Sequence, residues 1–159
     1  MFKNLFNKNR IIMIALLLVT FFVVVTPALA SSTASSTVNW SFTVGPYNND
    51  TINGKNNGQL KSLASGKLTL SGYIWIAGRL DKAPDSTSSI TIAVYRQMRF
   101  WFDPKICSIT VNTIATIGKK VPFSQNCGNI EGGAYYLVIS KAFNDKRSTL
   151  GSGTLATNP

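Results

Sequence analysis

The chain predicts an all-β fold: a single antiparallel β-sandwich, jelly-roll-like or similar, of about six to eight strands, with a small β-barrel as the alternative. Three observations predict it. Apolar residues alternate with period two in several runs of strand length. Clusters of Gly, Asn, Asp and Pro punctuate those runs. Beyond residue 30, no stretch keeps a helical period between caps.

The first thirty residues stand apart from this body. Lys3, Lys8 and Arg10 form a cationic head, Ile11 to Val25 is apolar except for Thr20, and Thr26-Pro27-Ala28-Leu29-Ala30 comes next. A charged head, an apolar helical middle and an A-x-A end make up a secretory signal peptide. A run of ~15 apolar residues falls short of the ~20 that cross a bilayer. Cleavage is therefore expected after Ala30, with the protein secreted from a bacterium. Residues 31–37, SSTASST, read as a flexible polar N-terminus, and residues 38–159 as the sandwich.

Val38 to Val44 alternates without error and predicts a half-buried strand, with Trp40 in the core. Tyr47 to Gln59 carries two Asn-Gly pairs and reads as a surface loop or two tight turns. Asp50 in that loop lacks the spacing of a calcium-binding loop, and Asn49-Asp50-Thr51 matches the glycosylation sequon only weakly. Leu60 to Ala64 is a short strand or turn. Lys67 to Gly78, KLTLSGYIWIAG, is the central expectation. Leu68, Leu70, Ile74 and Ile76 point to the core, while Tyr73 and Trp75 share the opposite face and need another cover.

Ser89 to Gln97 predicts the next strand, after a polar loop from Arg79 to Ser88. In Arg96 to Phe102, RQMRFWF, the favoured reading is a strand end whose Phe100 and Phe102 enter the core while Arg96 and Arg99 lay their stems along it. The competing reading is a cationic aromatic contact for an anionic membrane surface. Ile106 to Ile117 reads as one long strand, and Val121 to Gly133 as a loop tied back by a disulfide. Ala134 to Lys141 is apolar on both faces and predicts a central strand. Thr149 to Ala156, broken by Gly151 and Gly153, reads as a last edge strand.

Cys107 and Cys127 are the two cysteines, an even count in an exported chain, and predict a disulfide that stabilises by roughly 3 kcal/mol through loop closure. The chain has 16 basic and 6 acidic residues, and losing Lys3, Lys8 and Arg10 with the signal leaves a net charge of +7. Such a surface meets polyanions first.

The chain has no histidine. That excludes Ser-His-Asp and Cys-His nucleophile systems and His-ligated zinc. Of the six acids, only Glu131 stands outside a turn context, which leaves a two-carboxylate hydrolase as a remote reading. No catalytic residue, metal site or cofactor is assigned. The candidate binding residues are Tyr73, Trp75, Tyr95, Arg96, Arg99 and Trp101, since rings beside cations suit sugar faces and membrane surfaces. The expected partners are an anionic cell-envelope polymer, a polysaccharide or an anionic membrane surface, and nucleic acid is not expected. The function these readings favour is non-catalytic binding at the cell envelope or on an extracellular polymer. The alternative is a cationic antimicrobial or membrane-active protein.

Overall fold

Period-two sequences bury one face only when a second layer covers it, and here two antiparallel sheets cover each other. The structure is a computed structural model describing residues 34–46, 51–80, 86–141 and 145–159. The signal-peptide reading and Asp50 lie outside the described residues. Nine strands are described: β1 (Ser36–Val44), β2 (Thr51–Asn53), β3 (Lys61–Leu63), β4 (Gly66–Arg79), β5 (Ser89–Arg96), β6 (Lys105–Asn112), β7 (Val121–Ile130), β8 (Gly133–Lys141) and β9 (Arg147–Asn158).

The first sheet has the order β1-β9-β4-β7. The second has the order β2-β8-β5-β6, with β3 also pairing along β8. If β2 and β3 are counted as two segments of one edge strand, this is the eight-strand connectivity of a jelly roll. Two separate sheets replace the barrel alternative. The core lies between them: Leu68, Leu70 and Ile74 of β4 share one buried cluster with Ile90, Ile92 and Val94 of β5 and Leu137 and Ile139 of β8, and Ile76 is buried as well. β8 is central in its sheet, as its two apolar faces predict.

Besides Thr51–Asn53, which form strand β2 inside the expected Tyr47–Gln59 loop, four expectations need correction. β1 opens at Ser36, so Ser36 and Thr37 are strand residues paired with Thr157 and Ala156 rather than a flexible lead. The long strand ends at Asn112, where the Thr113 side-chain oxygen accepts the Ser88 N–H at 2.7 Å in place of a ladder carbonyl. Val121 to Ile130 is strand β7, not loop. It tolerates Pro122 because it is the edge of its sheet, where a missing N–H breaks no interior ladder.

The fourth correction is β9, which is a central strand between β1 and β4. Its glycines are what place it there. Trp40 pairs with Gly153 and Phe42 with Gly151, so two large rings on β1 meet two residues without side chains. A Cβ on Gly153 would come within 2.5 Å of Trp40 Cζ2, and one on Gly72 of β4 within 2.7 Å of the same atom. The indole thus lies over bare backbone, stacked 6.0 Å from Phe42 and tilted 5.9 Å from Phe123.

The Cys107–Cys127 disulfide forms as predicted, with Cα atoms 5.3 Å apart. Cys107 lies on β6, an edge of the second sheet, and Cys127 on β7, an edge of the first. The bond staples the two layers along one side of the sandwich.

Candidate functional site

The β5–β6 connection is built from a short polar frame with an apolar tip. Pairing of β5 and β6 shifts register between Val94 and Tyr95, whose partners are Cys107 and Lys105. Such a bulge bends the strand and re-aims the residues next to it. Arg96 N then donates to Pro104 O at 3.1 Å, and Gln97 N to Ala134 O at 2.8 Å, which closes the neck.

Asp103 closes the turn itself. Its Oδ1 accepts the Met98 N–H at 2.8 Å, a short-range bond that aspartate forms readily. Its Oδ2 accepts from Lys55 Nζ at 2.6 Å and from the Tyr136 hydroxyl at 2.8 Å. The Lys55 bond, followed by the Met98 N–H, holds the Asp103 carboxyl below the usual aspartate range. Burial, reinforced by the Asp103 hydrogen bond, pushes the Tyr136 hydroxyl up to about 12. Beside this frame, Arg96 Nη1 lies 2.6 Å from Glu131 Oε2, a bond that raises the guanidinium's pKa further. The Tyr135 hydroxyl donates to Glu131 O at 2.5 Å.

Nothing of this frame covers the tip. Phe100 is 82 % exposed, Trp101 80 % and Phe102 99 %. The expected entry of Phe100 and Phe102 into the core is therefore overturned. The ladder stops at Arg96, and Asp103 turns the chain back before either ring can reach between the sheets. Arg99 stands with its guanidinium carbon 5.5 Å from the Phe100 ring centre, and Lys105 comes just after the turn, exposed.

The six candidate residues fall into two groups on different sheets. Arg96, Arg99 and Trp101 belong to the tip and its frame. Tyr95 supports them from behind: its ring stacks 5.5 Å from Tyr136, so it buttresses rather than contacts. Tyr73 and Trp75 lie on the outer face of β4. Tyr73 is 49 % exposed and lines a shallow depression of about 480 Å³ with Asn39, Ser71, Ser152 and Thr154. Trp75 is half-buried, with Lys120 Nζ 5.0 Å from its ring centre. Sequence reasoning missed Lys55, Asp103 and Tyr136, and it favoured burial for Phe100 and Phe102. Three consecutive rings directly before Asp-Pro were the available signal for the turn.

Each described carboxylate is engaged by a cation. Asp103 pairs with Lys55, Glu131 with Arg96 and Asp145 with Lys141. Among the described residues, no group of three or more His, Cys, Asp or Glu side chains is placed to hold a metal.

No known protein family and no curated protein matches the chain. Solved structures show a distant likeness in layout. The Yersinia pseudotuberculosis-derived mitogen is 13% identical, with 79% of this chain and 88% of that chain covered and a TM-score of 0.34. Desmodium yellow mottle tymovirus is 7% identical, with the same shares covered and a TM-score of 0.29. The infectious bursal disease virus Gt strain is 12% identical over 76% of this chain and 32% of that chain, with a TM-score of 0.34. Likeness at this level carries no functional argument.

Proposed function

We propose that this is a secreted, non-catalytic binding protein that acts at a cell envelope or on an extracellular polymer, and that the β5–β6 tip is its contact surface. One observation carries the reading. Three successive large rings stand 80–99 % exposed on a turn whose base is tied by hydrogen bonds on three sides. Scattered apolar residues on a surface need no explanation, but a contiguous apolar patch marks a contact site. The disulfide is compatible with an extracellular location, and the excess of basic residues suits an anionic surface.

A second reading rests on Tyr73. An open ring beside short hydroxyl and amide side chains suits stacking against a sugar face. One experiment separates the two. Wild type, F100S/W101S/F102S and Y73A are incubated with intact bacterial cells, isolated walls and purified polysaccharides, and retention is measured. Retention of wild type and Y73A with loss of the triple variant supports the tip. Loss with Y73A alone moves the contact to the sheet face. Failure of wild type to stay on any of these materials refutes the proposal.

A further inference from the structure

The chemistry of the tip narrows what it can meet. Phe100 and Phe102 have no polar atom beyond the backbone, so a hydrated polyanion offers them no gain. Stacking on a glycan uses a flat ring platform, whereas these rings sit on three successive residues of a turn and are almost wholly exposed. The interfacial zone of a bilayer does reward them, because apolar rings enter the acyl boundary while an indole N–H stays among the headgroups. The flanking charge has the matching sign. Lys55 and Arg96 are held by Asp103 and Glu131. Arg99 and Lys105, on either side of the rings, pair with no acid among the described residues. Two uncompensated cations around an apolar point complement an anionic leaflet.

We propose that the β5–β6 tip is a bilayer-docking finger: Phe100, Trp101 and Phe102 enter the interface of an anionic membrane, and Arg99 and Lys105 sit at the level of its phosphates. This rests on the reading of the tip as the contact surface and names its partner. The frame explains why docking needs no folding step. Asp103, bonded to Met98, Lys55 and Tyr136, sets the turn before contact, so little ordering entropy opposes insertion. The contact is shallow, on the order of 5–10 Å, as for other interfacial elements.

The test uses the full secreted chain with vesicles of phosphatidylglycerol or of phosphatidylcholine at low salt. Partition is read by co-sedimentation and by tryptophan emission, with W101F identifying the contribution of Trp101. Wild type is expected on phosphatidylglycerol with Trp101 shifted to the blue. F100S/W101S/F102S should lose about 100-fold or more in partition, at about tenfold for each ring whose burial matters. R99Q/K105Q should lose about fivefold per cation on phosphatidylglycerol and little on phosphatidylcholine. An unchanged thermal midpoint in each variant shows that the fold survives. Failure of wild type to partition into either vesicle overturns the proposal. So does partition with Trp101 emission unmoved, or with the triple variant bound as wild type, because either result means surface adsorption alone. Tip-dependent retention on cells or walls without vesicle binding overturns the bilayer assignment and leaves the tip as a contact for another partner.

Discussion

The two ends of β5 break the usual rule of burial in opposite directions. At one end, charged groups lie inside. Lys141 and Arg147 are almost fully buried, beside the start of β5 at Ile90. Asp145 pairs with Lys141, accepts the Arg147 N–H at 3.0 Å and accepts from the Ser88 hydroxyl. Lys141 Nζ also donates to Arg147 O at 2.5 Å, and Arg147 Nη1 to Ser86 Oγ at 2.6 Å. At the other end, three apolar rings lie outside. The inward charges find most of their partners within the chain, although Arg147 Nη2 has no hydrogen-bond partner among the described residues. The outward rings stay 80–99 % exposed, with only the Arg99 guanidinium laid beside Phe100. The first irregularity is answered inside the fold and reads as architecture. The second is unanswered, and that is why it points to a partner.

Substitutions at the two ends should therefore separate stability from binding. The largest expected effect is at the buried end. D145N leaves Lys141 charged in the interior without a counter-charge, held only by the Arg147 carbonyl, and should lower unfolding free energy by about 3–5 kcal/mol, read from the denaturant midpoint. A loss under ~1 kcal/mol would mean that the charged end is solvated and that the contrast is false. Next is the staple. C107S/C127S should lose roughly 3 kcal/mol, because the closed loop spans a sequence separation of 20. Since β6 starts immediately after the tip, hydrogen exchange should also quicken at Lys105 to Asn112. D103N removes a charged acceptor from three donors and should cost about 1–3 kcal/mol while loosening the tip. The smallest effect is expected from F100S/W101S/F102S, whose stability should stay within about 0.5 kcal/mol of wild type, as for exposed positions. A larger loss would show the rings to be packed in solution and would erase the comparison.

Acid sharpens it further. The Asp103 carboxyl has a folded pKa below its unfolded value of about 3.9. Its stabilisation is full above that unfolded value and fades as pH falls through the folded one. Thermal midpoints of wild type and D103N should therefore differ at pH 6 and draw together below about pH 4. A constant gap across that range would remove Asp103 as the charged clamp of the turn.

Much of the fold was legible because alternation is a local property. Val38 to Val44, Lys67 to Gly78, Ser89 to Gln97 and Ala134 to Lys141 announce their strands, and the two cysteines announce their bond. β9 was legible as a strand but not as a central one. Glycine weakens a strand in isolation, and it becomes an asset only when Trp40 and Phe42 arrive at the matching spacing on β1. β7 was hidden by Pro122 and Gly128, which are harmless at an edge that only the sheet order defines.

The candidate site divides in the same way. Composition alone placed rings beside arginines in Arg96 to Phe102. The core reading of Phe100 and Phe102 came from their hydrophobicity, which does not record whether a covering layer exists. What the sequence by itself determined is a set of alternating strands, a disulfide and a basic, histidine-free body, since each depends only on residue type and spacing. Which rings pack and which stand free was decided only by tertiary structure. Burial depends on which strand ends where, and here Asp103, answered by Lys55 and Tyr136 from distant strands and turns, closes the chain before the rings reach the core.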